Sequence, residues 1–210
     1  MSIGLIETVR VRDGVAPLWG LHLRRLLRSC RELGVPFPGE LTVPAGGHDR
    51  VHRLEVSQDG VQVTERAAGP TEAVRLATSR VGYRAYPHKT TERSQFDRAL
   101  EEARAGGADD ALLLASGGWV AEAGIWSLFW WEGNRLCAPP LALGVLPGIG
   151  RSRIGELVQV EERRIGRAGL DGRPLLLANA VRGIVEVAAL DGVPTPSEAA
   201  SRELQARFWP

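Results

Sequence analysis

Lysine is almost missing from this chain. Of its 26 basic residues, 25 are arginine and one, Lys89, is lysine. Arginine serves on solvated surfaces, but its guanidinium keeps its proton and cannot supply a neutral primary amine. A chain that uses arginine everywhere except once points to chemistry at the exception, and Schiff-base formation is the commonest need for an amine. Cysteine is also scarce: Cys30 and Cys137 share no motif with the four histidines. That excludes a disulfide framework, gives no metal-ligand set, and fits a reducing cytoplasm. Long apolar runs are absent, since Ala111–Ala115 and Pro139–Pro147 are far too short to span a bilayer. Met1-Ser2-Ile3-Gly4-Leu5 shows no basic segment followed by an apolar one, so no secretory signal is expected. Charge of one sign is lacking too: 26 basic against 25 acidic residues leave +1 with no basic block, which argues against a nucleic-acid partner. What remains, 44% hydrophobic and 24% charged over 210 residues, is the make-up of a globular α/β protein.

Periodicity places the elements. Gly4–Arg12 alternates as a strand and turns at Asp13-Gly14. Leu18–Leu33 reads as a helix with Leu23, Leu26, Leu27, Cys30 and Leu33 on its apolar face, stopped by Gly34, and this puts Arg25 nearly opposite that face. Pro36–His48 reads as a loop, and Val51–Val56 with Val61–Arg66 as a hairpin around Ser57-Gln58-Asp59-Gly60. A strand is expected near Ala73–Thr78, with a domain boundary in the connection that follows: a small domain over 1–82 and a large one over 83–210. A helix over Ser94–Arg104 precedes strands at Ala111–Leu114, Trp119–Glu122, Leu128–Trp131 and Arg135–Ala138. A short helix starts near Arg151, strands follow at Val158–Arg164, Leu175–Leu177 and Ile184–Val187, and Ser197–Phe208 closes the chain as a helix capped by Ser197. Strands mixed with few helices, and little βαβ alternation, indicate an α+β fold in two parts.

Three features stand where loops and strand ends build sites. Lys89 lies in Tyr86-Pro87-His88-Lys89-Thr90-Thr91, just before a helix. Glu122 is the only acid in the apolar stretch Trp119–Trp131, either a strand-end carboxylate reaching solvent or one paired with a buried cation such as a protonated ring nitrogen. Gly148-Ile149-Gly150 opens a helix, as a plain turn or as a phosphate cradle. An amine for an aldehyde, an acid for a pyridine nitrogen and a cradle for a phosphate are together what pyridoxal phosphate needs.

The ordered segments Ile6-Glu7-Thr8-Val9-Arg10-Val11, His22-Leu23-Arg24-Arg25-Leu26 and His88-Lys89-Thr90-Thr91 resemble the class IV (fold type IV) pyridoxal-phosphate-dependent aminotransferases and lyases. Val120-Ala121-Glu122, Ser127-Leu128-Phe129, Leu146-Pro147-Gly148-Ile149, Ala178-Asn179-Ala180 and Arg182-Gly183-Ile184 continue the match. The resemblance implies a small α/β N-terminal domain and a larger domain with a barrel-like sheet, working as a homodimer. It implies that Lys89 joins the cofactor aldehyde and later moves the substrate proton, and that Glu122 keeps the pyridine nitrogen protonated. Arg25 and the N–H groups of Ile149 and Gly150 would hold the phosphate, with Asn179 and Ala180 on the loop that completes the cup. Against the family pattern, Ser127 stands where asparagine is common, Gly150 where threonine is, and Phe96 where tyrosine is. The chain also begins almost at Ile6-Glu7-Thr8, so the small domain is expected to be shortened, with part of the pocket wall missing or lent by a partner subunit.

Three activities share this cofactor: branched-chain transamination, D-amino acid transamination, and lysis of aminodeoxychorismate. Leu128-Phe129-Trp130 with Glu132-Gly133-Asn134, and Asn179-Ala180, resemble the lyases, which release pyruvate and 4-aminobenzoate for folate biosynthesis. Arg10 and Arg182 are candidates for the substrate carboxylates, and Tyr83 and Tyr86 for the pocket wall or for core packing. A class IV aminotransferase acting on branched-chain or D-amino acids is the alternative, and a non-catalytic binding protein of the same fold is the second.

Overall fold

The computed structural model describes residues 3–43, 49–69 and 71–210, so part of the expected loop over Pro36–His48 lies outside the described residues. Strand β1 (Leu5–Val11) pairs antiparallel with β2 (Arg50–Ser57), and β2 with β3 (Gly60–Ala67). The β2–β3 register closes at Ser57 opposite Gly60, around the two-residue turn that the sequence marks. Alternation along β1 sends Leu5, Glu7 and Val9 to one face, and Ile6, Thr8 and Arg10 to the other. Helix α1 (Trp19–Leu33) packs on the first face, where Leu26 and Cys30 join Leu5 and Val56 in a buried cluster.

The helix is rotated from the orientation that its leucines suggest. Leu27 and Leu33 are each 39% exposed, while His22, Arg25 and Ser29 are buried beside Leu26 and Cys30. The physical reason is Glu7, which sits on the face of β1 turned to the helix and is itself buried. A buried carboxylate requires cations and donors around it, and α1 turns the side that carries them inward.

The larger sheet has the order β6-β5-β4-β11-β10-β7-β8-β9. Its strands are β4 (Val74–Thr78), β5 (Asp110–Ala115), β6 (Trp119–Ala123), β7 (Ser127–Glu132), β8 (Arg135–Ala138), β9 (Val160–Glu162), β10 (Leu175–Asn179) and β11 (Gly183–Leu190). A short β12 (Val193–Pro194) pairs with β11. The two ends of the sheet meet: just beyond β9, Ile165 O accepts the Val120 N–H of β6 at 2.9 Å, and Trp119 bridges Gly166. The sheet is thus barrel-like, and its β6 and β9 ends cover each other. Leu128 and Trp130 of β7 point into the interior cluster, while Phe129 and Trp131 pack outside with α3 (Ile149–Leu157) and α4 (Ala199–Arg207). Burial on both faces explains the unbroken apolar run in β7, where a half-exposed strand would alternate. Helix α2 (Ser94–Ala105) covers β5 through Phe96, Ala99 and Ala103.

Some expected boundaries move. β4 pairs in parallel with β11 and β5, so the chain passes from the small sheet to the large one between Ala67 and Val74, earlier than a boundary at 82. The short helix starts at Ile149 rather than near Arg151, and β9 is confined to Val160–Glu162. Ser197 does not cap the last helix, which begins at Ala199 after Glu198 and has no side-chain cap.

Candidate active site

A cavity of about 290 Å³ opens between the two sheets. Lys89, Glu122, Arg25, Ile149, Gly150, Asn179, Ala180, Tyr86 and Arg182 all line it, so the structure brings these candidates together. Arg10 and Tyr83 are not among the lining residues. Arg10 donates to Val181 O at 2.8 Å and to Asp49 Oδ2 at 2.7 Å, which occupies two of its three nitrogens.

Lys89 sits where the segment before α2 bonds to the small sheet. Its carbonyl accepts the Ile6 N–H at 2.7 Å, and Thr91 N donates to Gly4 O at 2.8 Å. On the other side the Tyr86 hydroxyl accepts from Thr90 N at 2.7 Å and donates to Thr90 O at 2.6 Å. The residues flanking the lysine are therefore held by the small sheet on one side and by Tyr86 of their own segment on the other, and its side chain projects from a fixed base. Burial, then the Arg93 and Arg25 guanidinium groups, push the ammonium down to about 7, with Glu7 opposing. At neutral pH a large fraction is then the free amine, the form that attacks a carbonyl.

Glu122 is buried at the end of β6. Its Oε1 is 2.7 Å from the Tyr83 hydroxyl and accepts the Leu146 N–H at 3.2 Å. Burial pushes the carboxyl up to about 7, against those two hydrogen bonds and the nearby Lys89 and Arg93. A carboxyl held this way is poised to ionise when a further cation arrives beside it. That favours the paired-carboxylate reading over a strand-end group reaching solvent.

Arg25 is aimed by Glu7. Its Nε and Nη2 bond Glu7 Oε1 and Oε2 at 2.9 and 2.5 Å, while His22 Nδ1 lies 2.6 Å from Oε2. Despite its burial, Glu7 is held down at about 2, by the Arg25 charge foremost and then by its bonds with His22. Burial keeps His22 below its ordinary value in spite of Glu7, so at neutral pH it is a neutral donor. Two of three guanidinium nitrogens are fixed, and Nη1 is the one without a partner among the described residues. Beside it α3 begins at Ile149 with Gly148 as its cap, and the first N–H groups of a helix have no partner within it. A guanidinium nitrogen and these N–H groups form a cup suited to a phosphate dianion.

Gly150 explains one departure from the family pattern. A Cβ there would come within 2.7 Å of Ala178 C and Asn179 N, because the end of β10 lies directly on the helix start. A threonine, which the resemblance leads one to expect here, does not fit this cup as built. Asn179 acts by shaping the turn: its Oδ1 accepts the N–H groups of Val181 and Arg182 at 2.9 and 2.8 Å. Phe96, the aromatic departure, packs edge-on to Tyr86 at 4.8 Å, with Arg93 stacked 5.0 Å from its ring.

Sequence reasoning passed over the cavity mouth. Thr8 of β1 and Arg53 of β2 stand opposite each other, and Arg66 of β3 lies on the same face. All three line the cavity, as does Arg93. With Arg182, stacked 5.7 Å from Trp126, four arginines surround the opening. In a chain with 25 arginines none stood out by residue type. The usable signal was alternation, which puts Arg53 and Arg66 on the face opposite α1.

Residues 50–190 match the family Amino-transferase class IV. A Schizosaccharomyces pombe protein provisionally named an aminodeoxychorismate lyase is 26% identical over 201 residues, covering 86% of this chain and 87% of that protein. A branched-chain aminotransferase from Thermoproteus uzoniensis shares the fold at a TM-score of 0.83 and 22% identity, over 98% of this chain and 84% of that one. The pyridoxal-phosphate-bound structure of a hypothetical aminotransferase from Mycobacterium tuberculosis does so at 0.85 and 22%, over 98% and 86%. The chain is an enzyme of the class IV aminotransferase family, a pyridoxal-phosphate-dependent family that includes lyases.

Proposed function

We propose that this enzyme binds pyridoxal phosphate and cleaves 4-amino-4-deoxychorismate to pyruvate and 4-aminobenzoate. The cofactor fits the groups present: a depressed amine at Lys89, a carboxyl at Glu122 ready to ionise, and a cup at Arg25 and the α3 start. When bound, the cofactor supplies an electron sink for the carbanion formed at the amine-bearing carbon. The chain supplies the rest. Lys89 removes the proton at that carbon and, once protonated, gives a proton to the methylene of the departing enolpyruvyl group, which leaves as pyruvate; its value near neutrality suits both transfers. Glu122 holds a proton on the ring nitrogen, Arg25 anchors the phosphate, and Trp126 and Ile125 wall the space beside Glu122.

The arginine-lined mouth carries the choice of substrate. Arg53, Arg66, Arg93 and Arg182 suit a molecule with two carboxylates, and aminodeoxychorismate is such a dicarboxylate. A branched-chain amino acid would present one carboxylate and an apolar tail to four cations. The relative named for the lyase supports the same reading.

The test is a visible spectrum of the protein with pyridoxal phosphate before and after borohydride, on the wild type and on Lys89→Ala. The wild type should show a yellow band that borohydride bleaches, and Lys89→Ala should show none. Given aminodeoxychorismate, the wild type should release pyruvate with no keto-acid acceptor present. Turnover only with an added acceptor would replace the lyase by a transaminase.

A further inference from the structure

Tyr83 stands behind the cavity wall, and three parts of the site converge on its hydroxyl. The oxygen is 2.7 Å from Glu122 Oε1 and 2.9 Å from Gly144 O. A tyrosine hydroxyl carries one hydrogen, so it donates to one of these acceptors at a time. Neither acceptor is stranded when the hydrogen turns away: Glu122 Oε1 also takes the Leu146 N–H at 3.2 Å, and Gly144 O the Tyr86 N–H at 2.7 Å. Gly144 is the pivot, with φ 76°, and a Cβ there would come within 2.4 Å of the Ala85 side chain. The segment that leads to Lys89 therefore lies flat against Gly144. From Gly144 the chain runs through Leu146 to Gly148 and the phosphate cup.

We propose that Tyr83 is the positioning residue for Glu122: it fixes Oε1, so that Oε2 is the oxygen presented to the cofactor's ring nitrogen, and its hydrogen turns from Gly144 to Glu122 when that acid ionises. This role rests on the cavity being a pyridoxal phosphate site. With Glu122 neutral, the acid hydrogen on Oε1 points to Tyr83 and Tyr83 donates to Gly144. With Glu122 ionised, its proton would pass to solvent in the cofactor-free protein or to the ring nitrogen were the cofactor bound, and Tyr83 donates to the carboxylate. Among the described residues, the fields of Lys89, Arg93 at the α2 start and Arg151 of α3 reach Glu122, and all three favour the carboxylate. Burial opposes them. Tyr83 is the only one of these partners that can follow the change by rotating a hydrogen, with no heavy atom moving.

The experiment has two arms. Carboxyl carbon-13 NMR of glutamate-labelled, cofactor-free protein follows the titration of Glu122, assigned through Glu122→Gln. In Tyr83→Phe the midpoint should rise by about one pH unit, because the bond lost by the carboxylate is stronger than the one lost by the neutral acid. An unchanged midpoint overturns the proposal. The second arm measures pyridoxal phosphate affinity by tryptophan quenching. Tyr83→Phe should weaken binding about tenfold in the wild type but less than about twofold in Glu122→Gln, since the effect passes through that carboxyl. Equal losses in both backgrounds would mean a packing effect and overturn the proposal. Phenylalanine keeps the edge-on ring contact with Phe96 (centroids 6.3 Å apart), so the fold is retained. A moved midpoint in a protein that binds no pyridoxal phosphate would instead overturn the cofactor reading, and with it the service of Tyr83 to that cofactor.

Discussion

Replacing Glu7 with glutamine tests whether the phosphate arginine is held by a buried ion pair. Glu7 receives two bonds from Arg25 and one from His22, all on buried side chains. Its carboxyl is lowered from 4.5 to about 2, a difference of about 2.5 units. At about 1.4 kcal/mol per unit this links about 3 kcal/mol of folding stability to the charged form. Leaving a buried cation without its partner costs about 3–5 kcal/mol, an independent figure of the same size. Glu7→Gln should therefore lower the urea midpoint of the cofactor-free protein at pH 7 by roughly 1–2 M. The folded value lies below the unfolded one, so the contribution is complete above about pH 5 and fades as the pH falls from 4.5 towards 2. The gap between the two proteins should thus be constant from about pH 5 to 8 and shrink at pH 3. A loss under about 1 kcal/mol at pH 7, or a gap as wide at pH 3 as at pH 7, would refute the ion-pair account. Where Glu7→Gln remains folded, its pyridoxal phosphate affinity should also fall, because Arg25 loses its fixed direction.

Two further substitutions probe the scaffold of the site. Gly150→Ala puts a Cβ within 2.7 Å of the β10 backbone, so it should cost about 1–3 kcal/mol in thermal or urea unfolding and weaken cofactor binding; wild-type behaviour in both would disprove the contact. Asp110 is buried beneath the turn after β6, and its Oδ1 accepts the Ala111 and Gly124 N–H groups at 2.6 and 3.0 Å. Burial raises its carboxyl to about 6, so its stabilising, protonated form is complete below about pH 4 and lost as the pH rises through 6. Asp110→Asn should remove that decline, and parallel stability curves for the two proteins between pH 4 and 7 would contradict it.

The lysine, the acid and the helix start were legible in the sequence because each is exceptional where it stands. Lys89 is alone of its kind, Glu122 interrupts an apolar run, and Gly148 and Gly150 bracket a helix start. Arg25 was legible only through its motif. Helical periodicity assumes that the buried side is the apolar one, and α1 buries a charged side because Glu7 waits there. Nothing in the spacing of leucines reports a carboxylate on a strand that precedes the helix in the chain. The closure of the large sheet was hidden for another reason. It depends on Ile165 meeting Val120, two residues far apart in the chain whose pairing follows from accumulated twist and register rather than from either segment's own pattern. Tyr83 and Tyr86 show the limit of residue type: they are near each other in sequence and both were candidates for the wall. Only Tyr86 faces the cavity, while Tyr83 backs the acid.

The outermost strand of the small sheet carries one side of the cavity mouth. β3 pairs with β2 alone and is exposed along nearly its whole length, yet it holds Arg66 at the opening. Lys89 and Glu122 are anchored in the closed sheet and in the segment clamped to β1. Selectivity and reactivity are thus carried by parts of unequal firmness. An edge strand tolerates exchange of its outward side chains at little cost to folding, so a lineage of such enzymes could retune what enters by changing β3 while leaving the machinery within untouched.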